Sequence, residues 1–137
     1  MPLVFVGAAT QDALALVSSF PHPDERVVAD DVVYAGGGPA ATAAVAAVRL
    51  GAQAAFVGTV GDDDNGRLVL DGLVREGVDV TGVSVDPRVR TGASVIVVDR
   101  SRGARAICSL PAPEPVLNER ARELIAAADW VHTDHRG

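Results

Sequence analysis

Three consecutive glycines, Gly36-Gly37-Gly38, lead through Pro39 into a run of alanines (Ala40, Ala41, Ala43, Ala44, Ala46, Ala47) that closes at Arg49-Leu50-Gly51. No other stretch restricts the fold as strongly. Glycine allows a ligand to approach the backbone closely, and alanine both favours helix and leaves it slim enough to lie tight against a sheet. The pattern predicts a glycine-rich loop opening a helix, whose first turn presents unpaired N–H groups and a partial positive charge. A ligand is expected there. A well-packed helix behind an ordinary loop is the plainer alternative, and three glycines in succession weigh against it.

The flanking segments give this helix a sheet. Leu3-Val4-Phe5-Val6-Gly7 and Ala54-Ala55-Phe56-Val57-Gly58 are short apolar runs ending in glycine, as strands buried on both faces of a parallel sheet are. With the helix between them they form a strand–helix–strand unit. The acidic turn Gly61-Asp62-Asp63-Asp64-Asn65-Gly66 then predicts a second helix over Arg67 to Glu76, with Asp63 or Asp64 as its N-cap and Leu68, Leu70, Leu73 and Val74 as its apolar face. Val78 to Val85 reads as a short strand. Asn118 is placed to cap a third helix from Glu119 to Ala128, and Trp130-Val131-His132-Thr133 reads as another buried strand.

Two regions do not fit a parallel sheet. Ala13 to Ser18 and Val27 to Tyr34 read as exposed strands separated by the proline-broken segment Phe20 to Glu25, and Thr91 to Val98 with Arg105 to Leu110 read as a hairpin turning at Asp99 to Gly103. Together they predict a separate small flap. The fold class expected is therefore α/β with a lid of strands at about 13–34 and 91–110, inserted in a single domain over 1–137. A sheet that stops just after a strand, with no helix to cover it, reads as a truncated domain.

Composition narrows the function. The 137 residues are 48% hydrophobic, enough for a core, and carry a net charge of -6, which argues against sequence-independent nucleic-acid binding through a basic face. No apolar run is long enough for a membrane helix and no secretory leader is evident, so a cytoplasmic protein with a small-molecule ligand is expected. All twelve basic residues are arginine; without lysine the chain cannot contain a Walker A loop. The single Cys108 has no disulfide partner and is expected to be a buried strand residue. Asp62, Asp63 and Asp64 are explained by helix capping more simply than by a metal. His132 and His135, three apart on an extended segment, point to opposite faces and make a poor zinc pair.

The glycine–alanine stretch 36–52, then Phe56-Val57-Gly58-x-Val60-Gly61-Asp62-Asp63-x-x-Gly66, then Glu76-Gly77-Val78 and Thr91-Gly92, resembles the N-terminal half of the ribokinase-like (PfkB) sugar kinases over nearly the whole chain. The form of the glycine–alanine stretch looks closest to the branch of 6-deoxy-6-sulfofructose kinases. The resemblance implies a three-layer α/β/α sandwich with a β-sheet lid, a homodimer through the lid strands, and ATP with Mg2+ as cofactors.

For the site, the resemblance places Asp12 on the sugar hydroxyls and Gly37 and Gly38 against the sugar. A carboxylate accepting two hydroxyl hydrogen bonds fixes a sugar's orientation. A turn residue capping its own backbone is the plainer reading of Asp12. Many members carry an asparagine where this chain has Ala41, so one usual hydroxyl contact is missing; Thr42 beside it could replace the contact or simply bond the backbone of the first helical turn. Arg26 at the start of a flap strand, Ser109 at the end of the second hairpin and Arg136 beyond the last strand are candidates for recognising an anionic end of the substrate, and Arg26 and Ser109 look like variants of the basic and polar positions of the sulfofructose branch. A solvated surface charge is the alternative for either arginine. The family's catalytic Gly-Ala-Gly-Asp segment does not occur in this sequence, so the chain alone is expected to be inactive and the full-length protein an ATP-dependent sugar kinase. Two other classes compete: a lid-mediated dimerisation module without activity, and a dinucleotide-binding domain, which the missing Gly-x-Gly-x-x-Gly spacing after the first strand disfavours.

Overall fold

The computed structural model describes residues 2–137. In chain order the elements are β1 (Pro2–Val6), β2 (Thr10–Val17), β3 (Asp31–Gly37), α1 (Pro39–Arg49), β4 (Gln53–Val57), β5 (Thr59–Gly61), α2 (Asp64–Arg75), β6 (Ser84–Asp86), β7 (Gly92–Asp99), β8 (Ala104–Leu110), α3 (Glu119–Ala126) and β9 (Trp130–Thr133).

A parallel sheet in the order β4-β1-β9 forms the middle layer. Alternation along β1 divides the core in two. Phe5 joins Phe56, Ala40, Ala44, Val69 and Leu73 on the side of α1 and α2, while Val4 and Val6 join Val57 and Ala121 on the side of α3. Phe56 and Val57 are fully buried, and burial of side chains of this size is worth roughly 1.5–3 kcal/mol each. The alanines do what their size allows: Ala40 and Ala44 are fully buried where α1 lies on the sheet. Beyond Leu50 the chain turns at Gly51 with φ 91°.

In α2, Asp63 is the cap, its side chain accepting from the Gly66 amide at 2.8 Å. The helix begins three residues before the expected Arg67. Its buried stripe is Gly66, Val69 and Leu73, spaced by three and four. Leu68 and Val74 lie off that stripe and are about half exposed, contrary to expectation. Asn118 caps α3 as expected, accepting from the Ala121 amide. The segment expected as one strand over Val78 to Val85 is a single bridge from Asp79 to Ala55, a turn held by Asp79 on Thr81, and the short β6 beside β5. The last strand, β9, forms where expected but is exposed, Trp130 by 67%, because it pairs with β1 alone among the described residues.

The lid is a four-stranded sheet in the order β3-β2-β7-β8. Both hairpins are antiparallel and join through the parallel pair β2–β7. Two expectations need correction. Gly36 and Gly37 are not loop residues; they extend β3 opposite Gln11 and Thr10, and only Gly38 turns the chain. Cys108 lies on β8 but is exposed, since no layer covers the lid among the described residues. The lid's far end is closed by Asp99, whose buried carboxylate accepts from the Phe20, Ser101 and Arg102 amides and the Ser101 hydroxyl. The Ser101 hydroxyl does most to hold that carboxyl below its ordinary pKa.

Candidate sugar-binding site

The lid's register puts Asp12 in a row of four. Asp12 pairs with Ala35 on one side and Ser94 on the other, and Ser94 pairs with Ser109, so all four side chains stand on the same face. Ser94 and Ser109 are joined through their hydroxyls at 3.3 Å. The next row on that face, Val33, Leu14, Ile96 and Ile107, is apolar. A polar line backed by an apolar line suits a ligand with hydroxyls on one side and ring carbons on the other.

Asp12 faces the glycines. A β-carbon at Gly37 would collide with Asp12 Oδ2 and lie 2.7 Å from Thr10 Oγ1. Thr10 donates its hydroxyl to Asp12 Oδ1 at 3.0 Å, which leaves the remaining lone pairs of the carboxylate for a guest. Gly38 has φ 92°, and a side chain there would strike the carbonyl of Ala8. Bare backbone is therefore required by geometry at Gly38, whereas at Gly37 the Asp12 carboxylate itself occupies the place of a side chain.

The first turn of α1 is not an open anion site. Pro39 has no N–H, Ala40 donates to Asp134 Oδ2 at 3.0 Å, Ala41 to the Ala8 carbonyl at 3.3 Å and Thr42 to the Gly38 carbonyl at 2.9 Å. The ligand-attracting amides that the sequence suggested are engaged internally. Thr42 is exposed on α1 and lines a groove of about 730 Å³ with Gln11, Tyr34 and Leu68. The same groove is lined by Thr10 and Ala35, the hydrogen-bond partner and the strand neighbour of Asp12, so Thr42 shares a groove with that end of the polar row. Ser109 stands in the row itself. Arg136 follows β9, its amide bonded to Asp134 Oδ1 at 2.8 Å, which places its backbone beside the start of α1. Arg26 is exposed in the irregular segment before β3, not at the start of a strand, and forms no hydrogen bond or ion pair among the described residues.

Sequence reasoning missed Ser94 and Thr10. A signal for Ser94 existed: a hairpin turning at 99–103 pairs it with Ser109. The lid's base is fixed by a hub between the Gly-Asp-Asp turn and Thr91. Asp63 accepts from the Thr91 hydroxyl at 2.6 Å and its amide at 3.0 Å, and the buried Thr91 hydroxyl accepts from the Gly61 amide at 2.9 Å. Burial pushes the Asp63 carboxyl up, but the bonds from Thr91 and Gly66 outweigh it and the pKa falls below the ordinary carboxylate value. The Gly-Asp-Asp turn and Thr91-Gly92 thus share one device, which joins α2 to the strand carrying Ser94.

The model for pfkB family carbohydrate kinases matches residues 2–135. This chain belongs to that family. It is 33% identical over 99 residues to a ribokinase of Haemophilus influenzae, covering 72% of the chain and 32% of that enzyme. It is 31% identical over 131 residues to an ATP-dependent ribose-1-phosphate kinase of Halopiger xanaduensis, covering 92% of the chain and 43% of the relative. The structure of Arabidopsis thaliana ribokinase complexed with ribose and ATP superposes with a TM-score of 0.82 at 26% identity, over 98% of this chain and 45% of the other. The PfkB chain therefore spans less than half the length of these relatives. Its fold is that of the ribokinase-like kinases, as expected from the glycine–alanine stretch.

Proposed function

We propose that the whole protein is an ATP-dependent sugar kinase, transferring a phosphoryl group from ATP to a sugar hydroxyl, and that residues 2–137 supply its sugar-binding part. The observation that carries this reading is the Asp12 carboxylate facing Gly37 at one end of the polar row Asp12, Ser94 and Ser109. In it, Asp12 accepts two sugar hydroxyls, Gly37 leaves room for that carboxylate, Gly38 packs the turn onto Ala8 behind it, and the two serines contact the far side of the ring. Arg136, with Arg26 on the lid's connecting segment, is assigned to an anionic substituent, which makes an anionic ketose such as sulfofructose the preferred substrate class. Guanidinium forks suit sulfonate or phosphate oxygens.

The nucleotide is a different matter. The described residues do not fit ATP phosphates or Mg2+: the first-turn amides of α1 are engaged, and no three His, Cys, Asp or Glu side chains converge on a metal position among them. Phosphoryl transfer is accordingly assigned to residues outside this chain, and the chain alone is proposed to be inactive. The lid's exposed apolar side chains, Val32, Tyr34 and Val95 on the face opposite Asp12, support a homodimer formed through the lid, in a cytoplasmic protein.

A kinase assay with a sugar panel tests the reading. The whole protein should phosphorylate sugars, with anionic ketoses ahead of neutral ones, and Arg136→Ala should erase that preference. Equal turnover of both classes removes the anionic assignment, and NAD binding without sugar turnover removes the kinase.

A further inference from the structure

Asp134 joins three segments that lie far apart in the sequence. Its Oδ2 accepts from the Ala8 amide at 2.9 Å and the Ala40 amide at 3.0 Å, 126 and 94 residues away, and its Oδ1 accepts from the Arg136 amide at 2.8 Å. Gly7 is bare beneath it: a β-carbon there would run into the carboxylate. Ala8 is the residue whose carbonyl Gly38 approaches, and Ala40 is two residues beyond Gly38. One carboxylate therefore occupies the positive end of α1 while holding both sides of the Gly38 turn.

Resting on the sugar-kinase reading, we infer that Asp134 is a positioning residue for the sugar site: it clasps the β1–β2 connection and the start of α1 to the segment bearing Arg136. Three segments meet the sugar in that reading, and each needs its place fixed relative to the others. Asp12 and Thr10 follow Ala8, Gly37 and Gly38 precede Ala40, and Arg136 is two residues past Asp134. Charge-assisted bonds to amides of all three fix them at once. The same carboxylate fills the place at the α1 start that a substrate anion would otherwise seek, so an anionic substituent is directed to the Arg136 side. Binding of the sugar then tightens a set of contacts already in position, and the clasp acts on binding more than on the chemical step.

The test compares Asp134→Asn with Asn118→Ala, a variant that removes the α3 cap away from the site and so serves as a destabilised control. In the whole protein, Asp134→Asn should raise the sugar KM roughly tenfold or more while changing kcat far less, because loss of positioning weakens ground-state binding. Asn118→Ala should leave the sugar KM within twofold. Should Asp134→Asn fail to fold, hydrogen exchange of the unmutated protein decides: added sugar should slow the Ala8, Ala40 and Arg136 amides together. A sugar KM unaffected by Asp134→Asn, or slowing at Gly37 and Gly38 with no change at those three amides, overturns the inference. Absence of turnover for every sugar overturns the kinase reading instead, a result distinct from a KM indifferent to Asp134.

Discussion

The α/β/α body and the lid are built from similar residues and are held in opposite ways. In the body, each strand of the pair β1–β4 is covered on both faces, and Phe56, Val57, Ala40 and Ala44 have no exposed surface. The lid has the longer strands, yet its Val32, Tyr34, Val95 and Ile107 are 51%, 73%, 59% and 49% exposed. Its order comes from the strand ladder and from polar anchors at its two ends, Asp63 with Thr91 at the base and Asp99 at the tip. Apolar burial sets the body's stability, while the lid leaves much of its side-chain surface exposed.

Variants confined to one region test this contrast. Phe56→Ala should cost about 3–5 kcal/mol, enough to unfold much of the population, as read by denaturant titration. Asp12→Ala should lower sugar kcat/KM of the whole protein roughly a hundredfold, since it removes charge-assisted bonds worth about 1.5–3 kcal/mol each, and should leave the denaturation midpoint unchanged. Asp63→Ala removes both the α2 cap and the Thr91 anchor, a loss of about 1–3 kcal/mol, with faster amide exchange in β7 than in β1. If β1 opened equally, body and lid would be one cooperative unit.

Acid should find the anchors first. The Asp63, Asp99 and Asp134 carboxyls all lie below the ordinary value of 3.8 when folded. In the unfolded chain they take up protons at higher pH, so their stabilisation is complete above the ordinary carboxylate range and is lost as pH falls through the depressed values. Amide exchange followed from pH 5 downward should show the lid and the Gly38 turn loosening before the β1–β4 pair. The smallest effect is expected for Tyr34→Ala, within about 0.5 kcal/mol for a solvent-facing lid residue of the monomer. Analytical ultracentrifugation of that variant should show weaker dimerisation.

Local signals made much of this legible from the sequence. The alanines of α1, the Asp63 and Asn118 caps and the turn at 99–103 act over a few residues, and each produced the expected element. Exposure was less legible, because it depends on what lies next to an element. Trp130 and Cys108 sit in apolar strand patterns but belong to an edge strand and an uncovered sheet. In α2 the choice of Val69 over Leu68 was made by Gly66, which brings the helix start close to Gly61. The Asp12 assignment came from family resemblance, and the structure puts its carboxylate against Gly37. Asp134 offered no local sign at all: its partners are brought to it only when β9 docks on β1.

In the proposed sugar site, recognition through a strand row has its own evolutionary arithmetic. The backbone ladder linking positions 35, 12, 94 and 109 is indifferent to which side chains stand there. Exchanging the hydroxyl at 109 for an amide or a guanidinium, or adding a polar group at the alanine in position 35, rewrites one contact and leaves the other three in register. Such a surface can shift its preferred substrate in single steps, with no loop to remodel and no core to repack.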